Sequence, residues 1–219
     1  FFNLEDFKYV VNYDCDVYYK KKDKTILLAK FRKNVIPSNL YELANENLLS
    51  AAKREHDNRG AAAGILDLKK LPVWVDPTKI IDKQKFIIGG YYSKKTNKIV
   101  KQNIGNKVKS NIIGYYDKKD RNIKSKIPCR LTQFNKLHDK KFKNTIPLIK
   151  KIDYLFKKLI PKRHKKQKNR AKKTKFYIKD TSFSTITVNY NWRTALHKDK
   201  GDFEKGFGNL VVYDEGEYE

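Results

Sequence analysis

The feature that most constrains the fold is a run of β-branched and aromatic residues that leads into a His-x-Asp pair. Residues Ser182–Tyr190 alternate apolar with polar side chains, which predicts a half-buried β-strand. His197 and Asp199 follow shortly after this run. Residues two apart on an extended chain point to the same face. An imidazole and a carboxylate on one face are two of the three ligands of a 2-His-1-carboxylate Fe(II) site, although His-x-Asp alone is common by chance.

The residues after the pair indicate the start of a jelly roll. Gly206-Phe207-Gly208 is typical of a turn, and the apolar residues from Asn209 to Tyr213 predict a further strand. Strand, ligand pair, turn and strand in this order fit the opening of a double-stranded β-helix. Because two amphipathic helices precede it, we expect an α+β fold in which N-terminal helices pack on a partial double-stranded β-helix, or jelly roll.

Apolar residues at helical spacing predict these two helices. The first begins at Pro37-Ser38, where Ser38 can cap it, and fades near residues 57–60. The second runs from about Asn144 to Leu159, and Pro161 ends or kinks it. Residues 25–31 predict a strand, whereas residues 60–67 form either a close packing contact or a loop. We divide the chain into an N-terminal α+β region, residues 1–143, and a second region, residues 144–219, with the support helix, a basic segment and the first part of the double-stranded β-helix.

The wider motif resembles the oxygenase domain of the TET/JBP family. The resemblance rests on Asn191-x-Arg193-Thr194-x-x-His197-x-Asp199-x-Gly201-Asp202 and on Gly206-Phe207-Gly208-x-Leu210-Val211-Val212. Members of this family are Fe(II)- and 2-oxoglutarate-dependent dioxygenases that oxidise the methyl group of a pyrimidine base in nucleic acid. The resemblance implies that His197 and Asp199 are the first two iron ligands. It also makes Asn191 and Arg193 candidates for cofactor binding, although both residues could equally pack the strand.

The chain departs from the family pattern downstream of the pair. The family has a later histidine as third ligand, followed by a basic residue that pairs with the 2-oxoglutarate carboxylate. No histidine follows His197 in this sequence, which also lacks methionine and begins at Phe1. We therefore expect a fragment that lacks the C-terminal part of the oxygenase domain and is inactive alone. The alternatives are a processed chain, a degenerate metal-free site, or a triad completed by His56, His138 or His164.

The formal net charge of +26 has two interpretations. It attracts phosphate, or it reflects a composition rich in Lys, Asn and Ile with no functional meaning. The segment Lys162–Lys173 is almost free of apolar residues, so it is an exposed helix or a flexible basic arm. We expect it to bind nucleic acid, against the alternative of a solvated helical face. The contacting residues would be Lys165, Lys166, Lys168, Arg170, Lys172 and Lys173.

Composition excludes several other classes of protein. No stretch approaches the roughly 18 uninterrupted apolar residues of a membrane helix. Polar residues interrupt the apolar start, so it is not a signal peptide, and two cysteines are too few for a disulfide framework. We expect an intracellular protein that acts on DNA as a base oxygenase. The alternatives are a protein or peptide hydroxylase of the same fold and a non-catalytic basic module that binds nucleic acid.

Overall fold

The computed structural model describes residues 3–57, 59–117, 129–199 and 202–213, and these form an α+β structure. Its helices are α1 (Ser38–Ala52), α2 (Gln133–Leu137), α3 (Asp139–Leu159) and α4 (Pro161–Ala171), with short 3₁₀ turns at Leu4–Asp6, Gly60–Ala63 and Leu68–Lys70. Its strands are β1 (Cys15–Lys21), β2 (Lys24–Phe31), β3 (Glu55–His56), β4 (Val75–Lys83), β5 (Ile87–Ser93), β6 (Lys98–Val100), β7 (Ile104–Gly105), β8 (Val108–Asp117), β9 (Cys129–Leu131) and β10 (Thr185–Asn189). Helices together with antiparallel sheets confirm the predicted α+β class.

The described residues form two compact units. The first comprises those within residues 3–6, 50–111 and 187–199, and the second those within 7–49, 112–186 and 202–213. The predicted division after residue 143 stays a prediction.

A small apolar core supports the first unit. Strands β4, β5 and β6 pair in that order, and β7 also pairs with β5. The core consists of Leu66 and four residues of this sheet, Val75, Ile88, Tyr91 and Ile104. None of the five is more than 8 % exposed. Full burial stabilises the folded state by about 1.5–3 kcal/mol for each large apolar side chain, so this cluster fixes the sheet.

Strand β10 confirms the strand predicted before the His-x-Asp pair. It pairs with β8, since the Tyr115 N–H donates to the Ser184 carbonyl over 2.9 Å and the Tyr190 N–H donates to the Lys109 carbonyl over 3.1 Å. The β8 residue with the higher number, Tyr115, pairs with the β10 end that has the lower number, Ser184, so the two strands are antiparallel. The strand begins three residues later than predicted because residues 178–183 form a turn, closed by a 2.8 Å hydrogen bond from the Ile178 N–H to the Phe183 carbonyl.

Pro161 separates helices α3 and α4 of the second unit, as predicted. Proline disfavours helical backbone in the residue before it, and Ile160 has φ −138° and ψ 62°. Pro161 then takes the first position of α4, where its missing N–H costs nothing. The preceding helix α3 starts at Asp139, earlier than predicted, and α1 ends at Ala52, also earlier than predicted. Within the described residues, no helix has the length and apolar character needed to cross a membrane.

Strands β1 and β2 form a separate two-stranded antiparallel sheet. The pairs run from Cys15 opposite Phe31 to Lys21 opposite Lys24, with a register shift after Val17. Strand β2 confirms the strand predicted at residues 25–31.

The strand predicted at Asn209–Tyr213 is wrong. These residues form no strand, and Leu210 is 88 % exposed. Cross-strand pairs stabilise a strand, and no strand of the described part of the chain pairs with this segment. The Tyr213 ring instead stacks on Tyr41 with 4.9 Å between ring centroids. The turn predicted just before this segment lies slightly earlier, where the Gly206 N–H donates to the Phe203 carbonyl over 2.7 Å.

Candidate functional site

The His-x-Asp pair lies on an irregular segment after β10, in the first unit. His197 Nε2 is 3.2 Å from Asp199 Oδ1, so the structure brings the two side chains together. First-row divalent metals hold nitrogen and oxygen ligands at about 2.0–2.2 Å, which places two ligands at a right angle about 3 Å apart. The pair therefore has the separation of adjacent ligands on one metal ion. The Asp199 side chain is 72 % exposed and that of His197 23 %, so an ion can enter from solvent.

The backbone determines which nitrogen of His197 carries a proton. Nδ1 lies 2.7 Å from the carbonyl oxygen of Ala195, and a carbonyl can only accept a hydrogen bond. Nδ1 is therefore the donor, which leaves Nε2 of the neutral ring as the nitrogen that can bind a metal. Because an ionised Asp199 offers only lone pairs, the Nε2–Oδ1 approach fits either a ring N–H that donates to Asp199 or a metal ion held by both atoms.

A 3₁₀ turn holds this segment in position. The Ala195 N–H donates to the Ala62 carbonyl over 2.9 Å, and Ala62 belongs to the Gly60–Ala63 turn. The sequence left residues 60–67 as either a packing contact or a loop, and Gly60–Ala63 provides the contact. The Gly60–Ala63 turn thus holds Ala195 in place, and the Ala195 carbonyl orients the His197 ring.

Two buried polar atoms lie just before that turn. His56 Nε2 and Arg59 Nε are buried, and neither has a hydrogen-bond partner in the described part of the chain. Arg59 is half-buried, its pKa is lowered by burial, and none of the ion pairs of the described residues includes it. Burial, reinforced by the charges of Arg54 and Arg59, also lowers the pKa of His56. A half-buried guanidinium without a carboxylate is costly, so this position is suited to an anionic ligand.

The two cofactor candidates of the motif lie at the surface. Asn191 is exposed and has φ +40°, a left-handed conformation that asparagine tolerates better than most residues. Arg193 is also exposed, and one of its guanidinium nitrogens is 3.4 Å from Asn3 Oδ1. Neither contact tests a role in cofactor binding, so both roles stay predictions.

A third metal ligand is absent from the part of the chain that the structure describes, where no three His, Cys, Asp or Glu side chains form a cluster. His164, one of the histidines considered for this role, instead lies 3.1 Å from the Asp153 carboxylate in the second unit. Among the described residues, the candidate site therefore consists of the His197–Asp199 pair.

The basic segment of the second unit is a helix rather than a flexible arm. In α4 the buried or half-buried positions recur at helical spacing, at His164, Gln167, Lys168 and Ala171, and the remaining residues face solvent. Five of the six predicted nucleic-acid contacts are exposed. The sixth, Lys168, differs because its ammonium donates to the Asp180 carbonyl over 2.6 Å and lies 3.4 Å from the Asp153 carboxylate.

Asp153 anchors this helix, a role that sequence patterns did not indicate. Its side chain is buried, and Oδ1 accepts the Ser182 N–H over 2.7 Å while Oδ2 contacts His164. Burial alone would raise the pKa of Asp153, but the bonds from Ser182 and His164 outweigh it and the pKa is lowered. One carboxylate thus joins α3, α4 and the turn that leads into β10.

The C-terminal half of the chain matches a known family. Residues 111–219 match the Tet_JBP model, the oxygenase domain of the 2OGFeDO superfamily. The chain belongs to the Tet/JBP family. The match starts within β8 and includes α4, β10 and the His-x-Asp pair, so the resemblance drawn from the motif is confirmed. The superfamily is that of the 2-oxoglutarate- and Fe(II)-dependent dioxygenases, which have a jelly-roll fold.

Curated relatives give the same result. The chain is 42 % identical over 108 residues to the bifunctional helicase and thymine dioxygenase JBP2 of Leishmania tarentolae. It is 38 % identical over 109 residues to thymine dioxygenase JBP1 of Trypanosoma brucei brucei and 36 % over 110 residues to thymine dioxygenase JBP1-B of Trypanosoma cruzi. These alignments cover 49–50 % of this chain but only 10–13 % of the relatives, so the chain spans about a tenth of their length. No solved structure matches the chain.

Proposed function

We propose that this chain contributes to an Fe(II)- and 2-oxoglutarate-dependent dioxygenase that oxidises the methyl group of a pyrimidine base in DNA. The observation that carries the proposal is the 3.2 Å separation of His197 Nε2 and Asp199 Oδ1. The name thymine dioxygenase, which the relatives bear, supports thymine as the base. The intracellular location expected from the sequence agrees with a DNA substrate.

In this proposal the protein residues hold and orient the metal. The Ala195 carbonyl keeps the proton on Nδ1 of His197, so that the lone pair of Nε2 would be free to bind the ion. Asp199 supplies an anionic oxygen, which balances part of the ion's charge. When bound, Fe(II) and 2-oxoglutarate would activate O₂, so that one oxygen atom enters a methyl C–H bond and the other oxidises 2-oxoglutarate to succinate and CO₂.

We further propose that Arg59 contacts a carboxylate of 2-oxoglutarate in addition to the basic residue that the family has after its third histidine. Its guanidinium is half-buried without an acidic partner in the described residues, and its Nε is buried and unpaired. A carboxylate would satisfy both the charge and the orphaned donor, with the planar, bidentate geometry that arginine prefers. Arg59 precedes the Gly60–Ala63 turn that binds the His197 segment, so both groups belong to one framework.

A matched pair of variants tests this role. Arg54 lies on the same segment but is exposed. Loss of a charge-assisted hydrogen bond costs about 1.5–3 kcal/mol, so Arg59→Gln should weaken 2-oxoglutarate binding by about 10- to 100-fold. Arg54→Gln should leave binding unchanged. Binding is measured directly by calorimetry, and equal effects of the two variants would contradict the assignment.

The exposed face of α4 is the part of this chain that we propose to bind the DNA backbone. From Lys162 to Lys173 the sequence has eight Lys or Arg residues and no acidic residue. Such contacts position a duplex without reading its sequence. A base in a duplex must leave the stack before an enzyme can reach its methyl group, and backbone contacts hold the flanking phosphates while it does so. The proposed contacts are Lys165, Lys166 and Arg170 on α4 and Lys172 and Lys173 directly after it, while Lys168 already binds Asp153 and Asp180.

The decisive experiment analyses DNA products. The full-length protein is incubated with thymine-containing or 5-methylcytosine-containing duplex, Fe(II), 2-oxoglutarate and O₂, and the digested nucleosides are examined by mass spectrometry. We expect a product heavier by one oxygen atom, and its loss in His197→Ala and Asp199→Ala. Lys198→Ala, which changes the exposed residue between the two ligands, is the control and should retain activity. A protein with bound iron and no oxidised base would instead favour a protein hydroxylase, and one without iron a non-catalytic module.

A further inference from the structure

The β1–β2 hairpin has no part in the site described above. Its strands, of seven and eight residues, pair only with each other among the described strands. A two-stranded hairpin is marginally stable by itself in water, so it needs either support at its base or a partner along its length.

The base of the hairpin has its own support. Asp16 Oδ1 accepts a 2.6 Å hydrogen bond from Arg32, and Asp16 Oδ2 pairs with Lys30. Arg32 also donates to the Cys15 carbonyl over 2.9 Å. The bonds from Lys30 and then Arg32 lower the pKa of Asp16, so this carboxylate is ionised and balances charge at the base. Within Cys15–Phe31 the charges of Asp16 and Lys30 cancel, so the remaining net charge of these two strands and their turn lies at the tip.

The tip is strongly cationic. Lys20, Lys21, Lys22 and Lys24 are all exposed, and Asp23 is the only acidic residue among them. In the described part of the chain, none of the four lysines forms an ion pair. Lys22 has φ +49°, a conformation in which glycine or asparagine would be less strained. Four positive charges and one negative charge leave the tip at +3, over a span of five residues.

Apolar and aromatic side chains follow directly behind this charge. Tyr19 lies opposite Ile26, and Leu28, at the register shift of the hairpin, is 54 % exposed. Tyr18 is exposed on the other face, opposite Leu27. Side chains of these kinds contact thymine methyl groups and stack on bases, while lysine pairs with the adjacent phosphates.

We propose that the β1–β2 hairpin inserts its tip into a groove of duplex DNA as a second contact, separate from α4. This inference rests on the proposed function, in that it takes DNA as the partner. The major groove of DNA, about 12 Å wide, admits a two-stranded β-ribbon. At about 3.3 Å per residue, the seven-residue strand β1 is about 23 Å long, enough to follow the groove beyond the tip. A second copy of the chain is a poorer occupant, because two tips of like charge would repel each other.

The test compares two hairpin tips with equal charge changes. In the first variant, four tip lysines are replaced by glutamine: Lys20, Lys21, Lys22 and Lys24. The control does the same on the exposed lysines at and after the β5–β6 turn, at Lys94, Lys95, Lys98 and Lys101. Duplex binding by the full-length protein is measured over a series of salt concentrations. Each lost phosphate contact reduces the slope of log affinity against log salt by about 0.9.

We expect the tip variant to reduce this slope by about 2–3 and to weaken binding at least tenfold, with little effect of the control. A Tyr18→Ala/Tyr19→Ala variant should weaken binding without a change in slope. Equal effects of both lysine sets, or no effect of the tip set, would overturn the proposal. If the tip variant instead lost binding only to vesicles that contain phosphatidylserine, a membrane would be the partner and the proposal would also fall. If the tip variant binds and oxidises DNA like the wild type, only the hairpin contact is refuted. If the wild-type protein binds no DNA, the proposed function is refuted as well.

Discussion

Replacement of Asp153 by alanine is expected to destabilise the second unit strongly. Asp153 is 6 % exposed, and its carboxylate accepts the Ser182 N–H at 2.7 Å and contacts His164 Nε2 at 3.1 Å. Alanine leaves both groups buried without an acceptor. It also removes the carboxylate 3.4 Å from the Lys168 ammonium, although that ammonium keeps its bond to the Asp180 carbonyl.

The magnitude follows from these contacts. A buried donor without a partner costs about 1–3 kcal/mol, and two are created. The two donors together therefore give about 2–6 kcal/mol, and about 3–5 kcal/mol is typical when the lost acceptor is a buried carboxylate. We therefore expect Asp153→Ala to lower the free energy of unfolding by about 3–5 kcal/mol. Asp153→Asn keeps an acceptor for the Ser182 N–H and should lose about half of this.

Urea denaturation followed by circular dichroism measures the effect, with Asp180→Asn as control. Asp180 is an exposed aspartate that pairs with Lys150 over 2.9 Å, and exposed pairs contribute little to stability. The order of stability should be wild type and Asp180→Asn first, then Asp153→Asn, then Asp153→Ala. If Asp153→Ala were as stable as Asp180→Asn, the network would not anchor α4.

Two further predictions concern pH and backbone geometry. The pKa of Asp153 is lowered in the folded state, so its ionised carboxylate contributes to the free energy of unfolding above the ordinary aspartate pKa of 3.8. This contribution is lost as the pH falls through the lower pKa of the folded state. Acid denaturation should show the loss in the wild type and not in Asp153→Asn. Gly114 has φ +104°, and a Cβ there would lie 2.5 Å from the Ser184 carbonyl oxygen, so Gly114→Ala should cost about 3 kcal/mol, measured by thermal denaturation. Gly208→Ala, where a Cβ would meet no atom within 4 Å, should be nearly neutral, and similar melting temperatures for the two variants would contradict the β8–β10 geometry.

Local patterns predicted the elements that depend on local chemistry. The alternation in residues 182–190 identified β10, and Pro161 marked the boundary between α3 and α4 because proline acts on its immediate neighbours. The approach of His197 to Asp199 also depends on nearby residues, since the two side chains are only two positions apart.

Features that depend on distant residues could not be predicted in this way. The Ala62–Ala195 hydrogen bond, which ties the Arg59 segment to the His197 segment, joins residues far apart in the sequence. The sequence also gives no signal for the buried, unpaired Arg59 Nε. Lys168 differs from its basic neighbours because it contacts Asp153, a residue 15 positions away that sequence patterns do not place beside it. The strand expected at Asn209–Tyr213 failed for a related reason, because a strand requires a partner strand.

Anaerobic Fe(II) binding in the presence of 2-oxoglutarate tests most directly whether His197 and Asp199 are metal ligands, as proposed. Calorimetry on the full-length protein should give one Fe(II) per chain. Affinity should fall at least about tenfold in both His197→Ala and Asp199→Ala, because each variant removes one of few protein ligands. Lys198→Ala should bind Fe(II) like the wild type. Wild-type affinity in both ligand variants would contradict the account.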